Sequence, residues 1–256
     1  MSKVTISRVF KTYPGQSAKD APVLALNDVS FTVEDSEFCA ILGHSGCGKT
    51  TLLTMVAGFE TASSGEVRVG QAIAGKPSWQ RAVIFQDYAL FPWLTVRQNI
   101  AFGLEMKGIA SAERTRIIDS HIELVGLGGF EDRYPHQLSG GMKQRVSIAR
   151  ALAVDPQVLL MDEPFAALDA QTRGSMQREM VRIWQKERKT VILVTHSIEE
   201  AITLADRIIV MSRRPGTVKA NLQVTLPRPR DEDDPAFAKL KRELRDLLHD
   251  RYEVED

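Results

Sequence analysis

The chain has 256 residues, which is long enough to bury a hydrophobic core as one large domain or as two lobes. Hydrophobic residues make up 43% of it and charged residues 26%, the ordinary composition of a soluble globular protein. Lysine plus arginine and aspartate plus glutamate both total 33, and this zero net charge argues against a broadly basic nucleic-acid-binding protein.

The chain contains two cysteines, Cys39 and Cys47. Cys39 falls in a predicted buried strand and Cys47 in a glycine-rich loop, so we expect no structural disulfide, and a reducing compartment fits. The first residues do not resemble a signal peptide, and no apolar run is long enough to span a bilayer. We therefore expect any membrane role to depend on a partner protein.

Alternating and continuous apolar runs predict strands near both ends of the chain. The predicted strands are residues 4–10, one or two within 23–33, then 37–42, 66–69, 81–86, 158–161, 190–195, 207–211 and 217–226. Residues 13–15 predict a turn, and the polar residues 16–22 predict a loop. Residues 227–235 are rich in proline and charge, and we interpret them as a linker.

Apolar residues recur at helical spacing from residue 87 to about residue 155. They predict helices over 96–106, 112–125 and 146–152, and further helices are expected at 50–57, 172–187, 198–204 and 237–248. Strands that alternate with helices indicate an α/β fold. We interpret residues 87–155 as a helical lobe inserted between two strands of the sheet, and the helix at 237–248 as amphipathic.

Residues 43–51 match the phosphate-loop template of a glycine, four free positions and Gly-Lys-Ser/Thr. A predicted strand precedes them and a predicted helix follows, as this motif requires. Glycine lets backbone N–H groups turn inward, and with the helix N-terminus they form a site for phosphate. Lys49 is expected at the β- and γ-phosphates and Thr50 at Mg²⁺. The expected nucleotide contacts are Gly43, Ser45, Gly46, Cys47, Gly48, Lys49, Thr50 and Thr51.

Asp162 and Glu163 end an apolar strand, as the second element of a phosphate-loop NTPase does. Asp162 is expected in the Mg²⁺ shell, and Glu163 is placed to orient or deprotonate the attacking water. Two carboxylates at a strand end can also form a plain solvated turn. The phosphate loop elsewhere in the chain favours the catalytic interpretation.

Residues 138–145, Leu-Ser-Gly-Gly-Met-Lys-Gln-Arg, resemble the signature loop of ABC-type ATPases. The fifth residue, Met142, departs from the usual glutamine, and we expect tuning of activity rather than its loss. Physically, Ser139 with the N–H groups of Gly140 and Gly141 at a helix N-terminus forms a second anion site. Without the family, the same four residues would indicate only a helix N-cap.

Other positions are similar to the family pattern in the same order. Gln86 resembles the glutamine that contacts Mg²⁺ and water, and Asp169 lies in a loop resembling the one that touches the opposite subunit. His196 resembles the switch histidine at the γ-phosphate, although a lone histidine after a strand is more often structural. Tyr13 resembles the aromatic residue that stacks on adenine, and its alternative is a turn tyrosine.

The resemblance covers about residues 4–224. It implies an ABC cassette: a phosphate-loop NTPase core with a mixed sheet, an antiparallel β-subdomain and an inserted helical lobe, here within residues 1–226, followed by the linker and helix of 227–256. It also implies ATP and Mg²⁺ as cofactors and a head-to-tail homodimer. In such a dimer, each ATP lies between the phosphate loop of one subunit and the signature loop of the other.

A single cassette without fused membrane helices is typical of importers with separate permease and binding-protein subunits. Leu90, Phe91, Trp93 and Leu94 would contact a permease coupling helix, or would pack the lobe's own core. The wording of this segment and of residues 211–216 resembles the nitrate, sulfonate and taurine importers. These likenesses imply a peripheral protein on the cytoplasmic face of the bacterial inner membrane, served by a periplasmic or extracellular solute-binding protein, with no nucleic-acid partner.

Two other interpretations stay open at this point. One is a non-transport ABC ATPase that acts on a soluble or nucleic-acid partner, and the other is a phosphate-loop kinase that phosphorylates a small molecule. The first lacks its usual coiled-coil insertion or second cassette here. The second would transfer phosphate to a substrate instead of water.

Overall fold

The structure is a computed structural model that describes residues 3–15 and 20–249. The described residues form two compact units, one within residues 3–15, 20–78 and 190–249 and the other from residues 79–189. We call them the first and the second unit. Part of the loop predicted over 16–22 lies outside the described residues.

Two sheets form the framework of the first unit. Its elements are β1 (Val4–Tyr13), β2 (Val23–Val33), β3 (Phe38–Leu42), α1 (Lys49–Ala57), β4 (Ser64–Val69), β5 (Ala72–Ile73), β8 (Thr190–Thr195), α6 (Ile198–Leu204), β9 (Arg207–Met211), β10 (Val218–Gln223) and α7 (Pro235–Leu248). One sheet is antiparallel, in the order β2-β1-β4-β5. In the other, β8, β3 and β9 run parallel and β10 is antiparallel to β9.

The core of the first unit lies around β3 and β8. Every residue of both strands is buried, which is expected of parallel strands covered by helices on both faces. Helix α1 packs against β8 and β4, α6 against β3 and β8, and α7 against α6 and β9. The mixed sheet and the antiparallel sheet confirm those parts of the predicted fold.

The second unit is mainly helical. Its elements are β6 (Arg81–Ile84), α2 (Val96–Met106), α3 (Ser111–Leu124), α4 (Gly140–Ala153), β7 (Val158–Asp162) and α5 (Ala170–Glu187), with one 3₁₀ turn at Pro135–Gln137. Strands β6 and β7 pair in parallel. Helix α4 packs against α2, α3, α5 and β6 and is therefore the central helix of this unit.

The segment between β10 and α7 has neither strand nor helix, although residues 224–226 were predicted as the end of a strand, and two arginines hold it in place. Arg228 donates to Asp206 Oδ1 and to the carbonyl oxygen of Leu204, each at 2.5 Å. Arg230 donates to the carbonyl oxygen of Ala205 at 2.6 Å. Helix α7 then buries Phe237 and Leu244, two of the five apolar residues predicted on one face. Residues 224–248 are thus held against the rest of the first unit.

Candidate active site

The phosphate loop connects β3 to α1 in the first unit. Strand β3 ends at Leu42 and α1 begins at Lys49. Between them, Gly46 has a φ of 77° and Gly48 a φ of 96°, values in the left-handed region that favours glycine. A Cβ atom at position 48 would also lie 2.5 Å from Leu26 Cδ2. Glycine is therefore required at position 48 for both backbone conformation and space.

The N-terminus of α1 fits an anion. Its N-cap is Gly48, no side chain caps the helix, and its first turn holds no acidic residue. By contrast, side chains cap α2, α4, α5, α6 and α7. The first N–H groups of a helix need acceptors, and its dipole favours negative charge there. A triphosphate supplies both, so Ser45, Gly46, Gly48, Thr50 and Thr51 would hold it through this loop and helix end.

Lys49 is buried in the loop that it belongs to, with only 5% of its surface exposed. Its Nζ donates to the carbonyl oxygens of Gly43 and His44, both at 2.9 Å, and lies 3.9 Å from Cys47 Sγ. Burial raises the pKa of the Cys47 thiol, and the nearby ammonium offsets this only in part. The loop therefore holds a cation against its own carbonyl groups, with a neutral thiol beside it.

Tyr13 and His196 also lie in the first unit. The Tyr13 hydroxyl donates to Thr51 Oγ1 at 3.4 Å, and Lys11 Nζ lies 4.8 Å from the ring centroid. His196 directly follows Thr195, which pairs with Leu42 in the parallel ladder. Because Gly43 directly follows Leu42, the histidine and the phosphate loop leave adjacent strands at the same edge of the sheet.

Gln86, Asp162 and Glu163 lie together in the second unit. Ile84 pairs with Met161, so Gln86, after the end of β6, lies at the same edge as Asp162, the last residue of β7, and Glu163, the next residue. Glu163 has a φ of 46°, a left-handed conformation that is uncommon for a residue other than glycine. Such conformations cluster at functional sites, because the surrounding structure must hold them in place.

The signature-like loop and the loop of Asp169 meet at two adjacent helix N-termini. Ser139 Oγ accepts from the N–H of Met142 at 3.3 Å and caps α4, and Asp169 Oδ1 accepts from the N–H of Thr172 at 3.0 Å and caps α5. That N–H group lowers the pKa of Asp169. A Cβ atom on Gly141 would lie 2.9 Å from Thr172 Cγ2. An open cavity of about 550 Å³ is lined by both helix starts.

Two supports of the phosphate loop escaped the sequence analysis. A Cβ atom on Gly216 would lie 2.1 Å from the Cys47 carbonyl oxygen, so this turn packs directly against the loop. The His44 ring donates from Nε2 to the carbonyl oxygen of Leu248, 3.0 Å away at the end of α7. The Pro-Gly pair at 215–216 was a turn signal, whereas nothing in the local pattern linked His44 to α7.

Asn99 is a third residue that the sequence analysis missed. It is fully buried in α2, and its Nδ2 donates to the carbonyl oxygens of Phe91, Leu94 and Thr95 at 3.2, 2.9 and 3.0 Å. Its Oδ1 accepts from the N–H of Phe91 at 2.9 Å. Asn99 therefore fixes the backbone of the segment that carries Phe91 and Trp93. Its signal was a polar residue on the apolar face of a predicted helix.

The described residues contain no cluster of three or more His, Cys, Asp or Glu side chains able to hold a metal ion. Mg²⁺ in nucleotide sites takes few protein ligands, with substrate phosphates and water completing the shell. The first unit contains the Thr50 hydroxyl and the second unit the Asp162 carboxylate, and both are ligand types that suit that mode. Within residues 3–15 and 20–249, no helix is long and apolar enough to cross a membrane.

Comparisons with known proteins point to one family. A family model described as "ABC transporter" matches residues 26–166. The nitrate import ATP-binding protein NrtD of Synechococcus elongatus is 42% identical over 255 residues, covering 97% of this chain and 92% of the relative. The bicarbonate transport ATP-binding protein CmpD of Synechocystis sp. is 44% identical over 260 residues, covering 99% of this chain and 91% of the relative.

Solved structures give the same result for the fold. A dimeric ATP-binding cassette in a post-hydrolysis state, bound to ADP and Pi, matches with a TM-score of 0.74 and 30% sequence identity. The match covers 88% of this chain and 100% of that one.

Proposed function

This chain belongs to the ABC transporter family, and on that premise we propose that it is the ATP-hydrolysing subunit of an importer for a small anion. As a member of that family it is an ATPase that binds ATP with Mg²⁺. The observation that carries the importer proposal is similarity over nearly the whole chain to subunits named for nitrate import and bicarbonate transport. Nitrate, bicarbonate, sulfonates and taurine are the substrates to test.

In this proposal the predicted residues divide the work of binding and hydrolysis. Lys49 and the loop N–H groups bind the phosphates, and Tyr13 stacks on the adenine. Thr50, Asp162 and Gln86 would hold Mg²⁺, which would supply positive charge to the phosphates when bound. Glu163 accepts a proton from the attacking water, and Gln86 and His196 orient that water and the γ-phosphate. The left-handed backbone of Glu163 supports its assignment as the base.

We further propose that two copies of the chain form the complete site. Ser139, Gly140 and Gly141 would bind the γ-phosphate held by the partner's phosphate loop, and Asp169 would contact the partner. The Ser139 hydroxyl uses a lone pair to cap α4, which leaves its proton for an anion. The dimeric state of the similar cassette supports this arrangement.

An aromatic cluster of Phe91, Trp93 and Phe102 is the proposed permease-binding surface, together with Leu90 and Leu94. The ring centroid of Phe91 lies 5.6 Å from the ring centroid of Trp93 and 4.5 Å from that of Phe102. Trp93 is 69% exposed and Phe102 is 38% exposed, so neither side chain is buried in the core of the second unit. A coupling helix of a permease on the cytoplasmic face of the membrane would cover them.

Three further predictions belong to the same proposal. Residues 87–155 would act as the helical lobe that moves with the permease, and residues 1–226 as the cassette. A solute-binding protein outside the membrane would deliver the anion. Helices α2, α3 and α4 all lie within the proposed lobe.

Glu163→Gln tests the catalytic assignment. We expect ATP to bind with unchanged affinity and kcat to fall by about 100-fold or more, because the general base is lost. The ATP-bound dimer should accumulate in light scattering. Glu123→Gln removes an exposed carboxylate on α3 and serves as the control. Normal turnover in Glu163→Gln would remove Glu163 from the catalytic role.

A cysteine at Ser139 tests the dimer. In Ser139→Cys, oxidation with saturating ATP should join that cysteine to Cys47 of a second molecule and yield a covalent dimer on denaturing gels. The same variant with Cys47→Ser should stay monomeric. A lack of intermolecular bridging under these conditions would contradict the shared site.

Trp93→Ala tests the permease surface. Affinity purification from detergent-solubilised membranes should recover a multi-span membrane protein with the wild type and with Phe59→Ala, which removes another exposed aromatic. Recovery should fall with Trp93→Ala.

ATPase activity of the complex in vesicles should rise when the cognate anion and its binding protein are present. DNA-stimulated ATPase activity without a membrane partner would instead support a non-transport ABC ATPase.

A further inference from the structure

The segment after Gln86 has two consecutive residues in the left-handed backbone region. Tyr88 has a φ of 58° and Ala89 a φ of 47°, and neither is glycine. The N–H of Ala89 donates to the Asp87 carbonyl oxygen at 2.6 Å, which closes a γ-turn centred on Tyr88. A γ-turn with positive φ is rare and strained. Such a conformation persists only where neighbouring groups hold it.

Arg150 of α4 is the group that holds this turn. Its Nη1 donates to the Ala89 carbonyl oxygen at 2.7 Å and its Nη2 donates to the Tyr88 carbonyl oxygen at 3.0 Å. One planar guanidinium thus binds both carbonyls of the left-handed pair, a geometry that a lysine cannot reproduce. Burial lowers the pKa of Arg150, but an arginine stays charged, so both hydrogen bonds are charge-assisted.

The same guanidinium also contacts the aromatic cluster. Its Cζ lies 5.7 Å from the Phe91 ring centroid, within the range of a cation–π contact. Tyr88 reaches the other end of α4, because a Cβ atom on Gly140 would lie 3.2 Å from the Tyr88 hydroxyl. Arg150 and Tyr88 therefore connect the turn after Gln86, the aromatic cluster and the signature-like loop within a single unit.

We propose that Arg150 is a positioning residue for ATP hydrolysis, which clamps the left-handed turn after Gln86 and ties it to the aromatic cluster. This inference rests on the proposed roles of Gln86 and of that cluster. Arg150 contacts neither nucleotide nor water in this scheme. It acts by holding Gln86 where the attacking water is oriented, and by moving that segment together with the permease-binding surface.

The first test compares Arg150→Met and Arg150→Lys with Arg182→Met. Arg182 is a matched control, since its Nη2 donates to the Leu124 carbonyl oxygen at 2.8 Å in the same unit but away from the turn. We expect kcat to fall about 10- to 100-fold in both Arg150 variants, the loss caused by misplacing an orienting group by about 1 Å. The Kd for ATP should change less than about 2-fold, because the phosphate loop is intact.

The second test separates clamping of the turn from general packing. Glycine adopts the left-handed conformation without the Cβ penalty, so Ala89→Gly should restore about 3- to 10-fold of the kcat lost in Arg150→Met. Ala89→Gly alone should have nearly the wild-type kcat. A merely structural role for Arg150 predicts no such rescue. Arg150→Lys keeps the charge and the aliphatic stem. If Arg150→Met fails to fold, the kcat of Arg150→Lys with and without Ala89→Gly is compared instead.

Two results would overturn the inference. One is a kcat in folded Arg150→Lys equal to that of Arg182→Met, and the other is a loss that Ala89→Gly does not reduce. Gln86→Ala distinguishes this failure from failure of the proposed function. If Gln86→Ala itself has normal kcat, the role of Gln86 is wrong; if it is slow while the Arg150 variants are normal, only the clamp is wrong.

Discussion

Replacing Lys49 by methionine should separate nucleotide binding from stability. The side chain is 5% exposed, and its Nζ donates to the carbonyl oxygens of Gly43 and His44, both at 2.9 Å. Methionine keeps the unbranched stem and removes the charge. We expect ATP affinity to fall strongly and the free energy of unfolding without nucleotide to change little.

The magnitudes follow from the two hydrogen bonds and the burial. Charge-assisted hydrogen bonds contribute about 1.5–3 kcal/mol each, so the two contacts stabilise the loop by about 3–6 kcal/mol. Removing a buried ammonium also removes a desolvation penalty of several kcal/mol, which leaves a net change of about 1 kcal/mol. No such compensation applies to ATP binding, because the desolvation penalty of the Lys49 ammonium is already present in the nucleotide-free protein. Losing one phosphate contact should therefore cost about 2–3 kcal/mol, or about 30- to 160-fold in Kd.

Isothermal titration with ATP and urea unfolding without nucleotide measure the two quantities. Lys107→Met is the control, since Lys107 Nζ donates to the Val154 carbonyl oxygen at 2.8 Å outside the phosphate loop. The ATP affinity of Lys107→Met should equal that of the wild type. An unchanged Kd in Lys49→Met would refute the assignment of the loop, and a large loss of stability in parallel would mean that the loop had collapsed.

Two further predictions concern the first unit. Phe237→Ala should lower the free energy of unfolding, measured in urea, by about 3–5 kcal/mol, because this side chain of α7 is only 1% exposed. The control Phe59→Ala removes a side chain that is 57% exposed and should change that free energy by less than about 0.5 kcal/mol. Equal effects of the two substitutions would contradict the packing of α7. Because burial raises the pKa of Cys47, its thiolate is scarce at neutral pH, and its alkylation, followed by mass spectrometry, should speed up as pH rises. Cys39, in the central strand β3, should react more slowly than Cys47 at every pH, and the opposite order would contradict their placement.

Periodic elements were predictable where apolar spacing and caps agree. The helices expected at 96–106 and 198–204 are found as α2 and α6 with those bounds. Apolar spacing predicted helix α4 only from residue 146, whereas the N-cap expected at Ser139 indicated an earlier start, and the helix begins at Gly140. Its first turns contain two glycines and three polar or charged residues, so they carry no apolar period. The Ser139 cap sets the start of this helix instead.

The family was readable from the chain alone, because its motifs are contiguous. A glycine-rich loop between a strand and a helix creates its anion site from neighbouring backbone N–H groups, and no distant residue is needed. Carboxylates directly after a buried strand reach the sheet edge for the same local reason.

Only the tertiary structure decided what supports those motifs. His44 and Leu248 are 204 positions apart, and Arg150 lies 62 positions from Tyr88, yet each pair is joined by a hydrogen bond. No periodicity or spacing encodes such contacts, since they depend on which segments approach after the chain has folded. The left-handed pair at Tyr88 and Ala89 is likewise unreadable from residue type, because side chains that disfavour positive φ adopt it only under a non-local clamp.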